Sequence, residues 1–188
     1  AATSLTVQGG AGKDSLNVES GATTYGSIDG GAGNDTINIR AGETTANTKF
    51  SVIGGAGADS LVITAINGGT VYGGLSSSDT ATDNDYITFA GTASSTAVYG
   101  TSGLDTFLFG AAANTVSASV YGGAGNDSLV FTAAGTATNV TVDLGDGVNN
   151  IFSSGIQTAD FANNTITGGS GNDSLYFAGA STSQITDG

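Results

Sequence analysis

Apolar and polar residues alternate along this chain in short bursts, and the bursts return at a fixed interval. Two residues ahead of a recurring glycine position stand Val7, Ile28, Val52, Val71, Val98, Val120, Val142 and Ile166, all of them β-branched. Beyond the glycines and an acidic residue comes a second burst, headed by Leu16, Ile37, Leu61, Ile87, Phe107, Leu129, Ile151 and Leu175. Two residues further on stand Val18, Ile39, Ile63, Phe89, Phe109, Phe131, Ser153 and Phe177. Alternation with period two predicts strands, with these three columns on the inward face. The chain holds 32 glycines and favours β-branched residues at its apolar positions, so helices are poor alternatives.

Between the two bursts lies a ten-residue phrase, clearest at Gly122-Gly123-Ala124-Gly125-Asn126-Asp127-Ser128-Leu129-Val130-Phe131 and at Gly168–Phe177. Further copies start at Gly9, Gly30 and Gly54, and degraded ones at Gly73, Gly100 and Leu144. From Asp14 to Asp173 the repeat averages about 23 residues, an interval that signals a solenoid. A coil of that length holds two short strands and two turns. One turn is the glycine–aspartate phrase. The other varies, as in Ser20-Gly21-Ala22-Thr23 and Ala133-Ala134-Gly135-Thr136. The expected fold is all-β: a parallel β-helix, a β-roll-like solenoid, of about eight coils with two main sheets, forming one domain over residues 1–188 and a rod about 40 Å long. The segment Ile185-Thr186-Asp187-Gly188 echoes Ser27-Ile28-Asp29-Gly30, so the chain reads as an excerpt from a longer array.

Composition narrows the function. Sixteen acidic residues stand against Lys13, Arg40 and Lys49, for a formal net charge of −13, which disfavours nucleic acid and anionic membrane as partners. All acids except Glu19 and Glu43 are aspartates, which suit turns and metal ligation. Cys, His, Met, Trp and Pro are absent. Disulfides, thiol chemistry and histidine acid–base chemistry are therefore excluded. No apolar run reaches transmembrane length. The three cations are scattered, and Asp143 with Asp146 lacks the other polar groups a glycosidase needs, so no enzyme is expected.

The recurrent Gly-Gly-x-Gly-x-Asp, followed by one residue and an apolar one, resembles the repeats-in-toxin (RTX) calcium-binding family. Its physical logic stands without the name. Glycine permits positive φ, so the turn folds back tightly and directs carbonyl oxygens outward, and the Asp adds a carboxylate. Stacked turns surround a hole with oxygen only, which suits Ca²⁺. Zn²⁺ prefers His or Cys, and Mg²⁺ demands tighter geometry. A purely structural turn with Asx-type hydrogen bonds is the alternative. The candidate ligands are Asp14, Asp35, Asp59, Asp85, Asp105, Asp127 and Asp173, with Asn149 as a weak eighth. The turn backbone belongs to Gly10, Gly12, Gly31, Gly33, Gly55, Gly57, Gly123, Gly125, Gly169 and Gly171. RTX modules carry the phrase on both turns of a short coil, whereas here it occurs once per coil. By analogy a single row of calcium ions is expected. The holes touching Asn149 should be weak or empty unless Asp146 compensates. The insertion Leu75–Thr82 brings Asp79 and Asp83 near Asp85, for a different site or none.

Two outward columns carry small polar side chains: Thr6, Ser27, Ser51, Thr70, Ala97, Ser119, Thr141 and Thr165, and Ser15, Thr36, Ser60, Tyr86, Thr106, Ser128, Asn150 and Ser174. Such ladders suit parallel stacking. They also resemble the faces of calcium-dependent RTX ice-binding proteins, although Tyr72, Tyr99 and Tyr121 would break a flat face. A further column, Asn17, Asn38, Val62, Thr88, Leu108, Val130, Phe152 and Tyr176, turns apolar toward the C-terminal end. It is either a self-assembly surface, together with the three tyrosines, or a third buried face. The resemblance implies a secreted, calcium-stabilised structural protein of a microbial cell surface: an S-layer, surface filament or giant adhesin. Its partners would be copies or neighbouring repeats of itself, or a cell-surface glycan. An adhesin or ice-binding module, and a secretion or spacer module attached to an enzyme, are the alternatives.

Overall fold

The computed structural model describes residues 4–20, 25–41, 49–77, 80–110, 114–132, 136–153, 161–177 and 183–186. Within them the chain is all-β, every strand pairing is parallel, and the coils stack into a solenoid of about seven turns, close to the eight expected.

One ladder is built from the strands that precede each glycine phrase. It runs through β1 (Ser4–Ala11), β3 (Tyr25–Ala32), β5 (Lys49–Ala56), the second half of β6 (Ser60–Tyr72) and the second half of β7 (Tyr86–Ser102). It continues through β10 (Ser119–Ala124), β13 (Thr141–Asp146), β16 (Thr165–Thr167) and β18 (Gln184–Thr186). A second ladder follows each aspartate. It comprises β2 (Ser15–Ser20), β4 (Thr36–Ala41), the first halves of β6 and β7, β8 (Thr106–Phe109), β11 (Ser128–Phe131), β14 (Asn150–Ser153) and β17 (Ser174–Phe177). The register pairs like with like: Val7 with Ile28, Ile28 with Val52, Val120 with Val142, Val142 with Ile166. Slipping one residue would turn every apolar side chain outward, so the sequence period fixes the stacking.

A third, shorter ladder extends the two-sheet expectation. It joins Ala65–Asn67 of β6, Ala93 and Ser94 of β7, β9 (Asn114–Val116), β12 (Thr136–Thr138) and β15 (Phe161–Ala162). In the five coils where this corner is described, the residue leading from it into the first ladder is left-handed: Gly68, Ser95, Ser117, Asn139 and Asn163. Short polar side chains tolerate that conformation best after glycine.

The three inward columns form one continuous core of buried side chains, from Ile28 and Ile37 through Leu61, Ile87 and Val120 to Ile151 and Ile166. Phe89, Phe109 and Phe131 stack with ring centroids 4.9 and 5.0 Å apart. Each buried ring contributes roughly 2–3 kcal/mol of hydrophobic free energy, and the stacked pairs about 1 kcal/mol more. In the end coils Leu5, Val7, Leu16, Leu175 and Phe177 are only partly buried.

The outward columns stand where the alternation puts them. Leu108 and Val130 are half-buried, Phe152 and Tyr176 are exposed at 44% and 55%, and all four follow one another in register. This column is an outer face and not a third buried one. Phe152 stacks on Tyr176, and Asn38 donates to Asn17 Oδ1 at 2.9 Å, so like side chains ladder on the surface as well. Tyr72, Tyr99 and Tyr121 stack on the first ladder's outer side at 5.1 and 4.9 Å.

Candidate metal centre

As the first ladder's strands end, the chain must reverse within a few residues. It does so through glycines in the left-handed region. Gly123 and Gly125 have φ of 113° and 138°. A Cβ on either would run into the carbonyl oxygen of Thr101 or Gly103 in the coil before, so the turn can stack only without side chains there. The other expected turn glycines, Gly10, Gly12, Gly31, Gly33, Gly55, Gly57, Gly169 and Gly171, share the sign of φ. Where the phrase is degraded, Thr101 takes the second glycine's place at φ 99°, a strained conformation for a β-branched residue.

The turn carries its aspartate inward. Asp35, Asp59, Asp85, Asp105 and Asp127 are 1–3% exposed. One carboxylate oxygen of each is committed to the neighbouring coil. Oδ1 of Asp35, Asp59, Asp85, Asp105 and Asp127 accepts the backbone N–H of the preceding motif aspartate at 2.6–2.9 Å. Asn149 Oδ1 and Asp173 Oδ1 continue the row, accepting from the N–H groups of Asp127 and Asn149, each at 2.8 Å. All eight candidate ligand positions therefore lie in one file inside the turns.

The second oxygen has no donor. Oδ2 of Asp14, Asp35, Asp59, Asp85, Asp105, Asp127 and Asp173 is buried and makes no hydrogen bond. Around it lie further acceptors. The point where a Cβ on Gly9 would sit is flanked by Asp14 Oδ2 at 2.8 Å and by the carbonyl oxygen of Gly30. The same pair recurs at Gly30 (Asp35 with Gly54 O), Gly54 (Asp59 with Gly73 O), Gly100 (Asp105 with Gly122 O) and Gly122 (Asp127 with Leu144 O). A buried oxygen facing another across a coil junction is costly unless something positive lies between them.

Electrostatics carry the same signature. Burial pushes the carboxyl of Asp85 up to about 8 and that of Asp105 to about 7, with neighbouring carboxylates adding to the effect. Asp59 and Asp127 rise to about 6, again chiefly by burial. The backbone N–H on Oδ1 opposes the rise and does not cancel it. Among the described residues, no three or more carboxylates converge on one point. The donor set at the Asp14, Asp35, Asp59, Asp105 and Asp127 junctions is thus a carboxylate oxygen with a backbone carbonyl of the next coil: oxygen-only, anionic and adaptable, as Ca²⁺ requires.

Asn34, Asn84, Asn126 and Asp83 make contacts between coils that the sequence did not reveal. The asparagine preceding the aspartate clips the next coil: Asn34 Oδ1 accepts the N–H of Ala58 (3.3 Å), Asn84 that of Leu104 (2.8 Å) and Asn126 that of Val148 (2.8 Å). Its recurrence before Asp was the available signal. Asp83 Oδ2 accepts the N–H of Gly57 at 2.8 Å, while Asp85 stays in the row. Asp79 lies outside the described residues. Asp146 is exposed, outside the file of buried aspartates, and its Oδ1 accepts the hydroxyl of Ser170.

Four stretches, residues 6–25, 27–44, 119–131 and 158–179, match the RTX calcium-binding nonapeptide repeat. The chain carries RTX repeats. Calcium is the ion such repeats bind, and proteins that contain them are typically secreted. The match omits the copies at Gly54, Gly73, Gly100 and Leu144, yet the row of Asp59, Asp85 and Asp105 has the same Oδ1 bonds and the same unpartnered Oδ2 as the matched copies. No curated protein and no solved structure matches the chain significantly. Among the described residues no helix is long and apolar enough to cross a membrane.

Proposed function

We propose that this RTX chain is a calcium-stapled structural module of a microbial cell surface, in an S-layer, surface filament or giant adhesin, without catalysis of its own. The observation that carries the reading is the file of seven buried Oδ2 atoms without donors, five of them, on Asp14, Asp35, Asp59, Asp105 and Asp127, set beside a carbonyl oxygen of the next coil. Asp14, Asp35, Asp59, Asp85, Asp105, Asp127 and Asp173 would each bring Oδ2 to an ion that also meets carbonyl oxygen of the adjoining coil. Without the ion the row of buried charges repels itself, and the glycine turns retain their conformational entropy. With the ion bound, binding free energy becomes folding free energy. Calcium scarce inside a cell and plentiful outside it would then set where the chain folds.

The outward stripe of Leu108, Val130, Phe152 and Tyr176 supports lateral association with a copy or a neighbouring repeat. An adhesin role has its own support. An open cleft on the first ladder is lined by Thr6, Ser27 and Thr70 hydroxyls with Tyr25 and Lys49, groups suited to a sugar. Glycan-array binding that is lost in Tyr25→Ala favours that role.

Circular dichroism with and without Ca²⁺, and with Mg²⁺ as control, tests the main reading. The expected result is β-structure only with calcium. A chain equally folded in chelator and in calcium overturns it.

A further inference from the structure

Two buried asparagines bracket one junction between coils. Asn149 holds the seventh place in the row and keeps both of its backbone-directed bonds, to Asp173 Oδ1 and from Asp127 N–H. Its Nδ2 does what no aspartate in the row can: it donates to the carbonyl oxygen of Gly168 at 2.9 Å, with Gly145 O at 3.4 Å. Only this orientation of the amide satisfies both ends. Asn164, from the following coil, reaches back at another corner. Its Nδ2 donates to Ala137 O and its Oδ1 accepts the N–H of Val140, each at 2.8 Å. The coil of β12–β14 and the coil of β16–β17 are thus joined by amides on both sides. The junctions at Asp14, Asp35, Asp59, Asp105 and Asp127 each present a donorless carboxylate oxygen to the next carbonyl.

We infer that this junction is a calcium-independent seam. Asn149 supplies with its own N–H the positive end that an ion supplies elsewhere, so the continuous calcium row has its last ion between Asp127 and Leu144 and none at the Asn149–Gly168 junction. The inference rests on the aspartate row being the calcium row. Coil stability in a solenoid is a nearest-neighbour property, so the seam should be the last junction to open as calcium falls and the surface on which upstream coils re-form as it rises.

Hydrogen exchange read by mass spectrometry across a calcium titration of the whole chain at pH 8 tests this. The seam is reported by the amides of Ser174 and Thr165, which donate to Asn149 O and Val140 O. Ser60 and Tyr86, donating to Asp35 O and Asp59 O, report the ion-bearing junctions. One satisfied hydrogen bond in place of an ion contact predicts protection of the seam down to about fivefold to tenfold lower calcium. Asn149→Asp should raise the number of bound calcium ions by one and move the seam's midpoint up to that of the others. A wild-type seam that opens at the same calcium concentration as the Asp35 and Asp59 junctions overturns the inference alone, as does an Asn149→Asp chain with unchanged stoichiometry and midpoint. A wild-type chain that binds no calcium overturns the parent reading as well.

Discussion

Replacing Asp105 by asparagine separates the carboxylate's two duties. Oδ1 holds the N–H of Asp85 at 2.8 Å, and an amide oxygen would keep that bond. Oδ2 has no donor and faces the turn carbonyl of Gly122, where an amide nitrogen would find an acceptor, as Asn149 does with Gly168. The folded carboxyl titrates at about 7 against an ordinary 3.8, because burial disfavours the charged form. In the calcium-free chain this raised value favours folding fully below about pH 3.8. The benefit declines as pH rises and is gone above about 7. Three units correspond to about 4 kcal/mol, and asparagine escapes that loss. Calcium-free Asp105→Asn should therefore be more stable than the parent by about 4 kcal/mol at pH 8 and by about 1–2 kcal/mol at pH 5. Urea unfolding in chelated buffer with a stabilising osmolyte, followed by circular dichroism, measures both. Titration calorimetry should find one calcium fewer. A variant less stable than the parent in chelator at pH 8, or a difference that ignores pH, would refute the reasoning.

Other consequences are as open to measurement. In an osmolyte that keeps the calcium-free chain folded, protons and calcium compete for Asp59, Asp85, Asp105 and Asp127, so calcium affinity should fall as pH drops from 8 to 5, and binding at pH 7 should release protons, detected by calorimetry in buffers of different ionisation enthalpy. Gly125→Ala combines a left-handed backbone with a clash on Gly103's carbonyl and should cost at least about 2 kcal/mol in thermal unfolding, whereas Gly10→Ala meets open space and should cost only the strain of about 1–2 kcal/mol. Phe109→Ala removes the middle ring of a buried stack and should cost about 3–5 kcal/mol, with exchange rates rising in the adjoining coils and unchanged near Val7.

Much of this architecture was legible because each inward column repeats one kind of residue. Val52, Val71 and Val98 stand in register in space because they stand in register in sequence. The aspartate row was legible for the same reason. The third ladder was not, since its corner residues Gly68, Ser95, Ser117, Asn139 and Asn163 share a backbone conformation while varying among glycine, serine and asparagine, with no fixed residue to mark the position. Nor was the meaning of Asn149. A lost carboxylate reads as a lost ligand until the direction of its amide is seen. The roles of Asn34, Asn84 and Asn126 depend on which coil their oxygens face, and local sequence does not encode that.

Successive members of the aspartate row are separated by 20 to 26 residues, yet their N–H to Oδ1 distances stay within 2.6–2.9 Å. Apart from the insertion Leu75–Thr82, which lies within the turn that carries Asp85, variation in coil length falls outside the glycine–aspartate phrase, so girth and pitch are largely decoupled. A foreign loop grafted at the variable corner between Phe131 and Thr136 would widen one turn and leave the ion spacing untouched. The rod is in that sense a ruler with interchangeable ornaments, suited to displaying peptides at regular intervals along a filament.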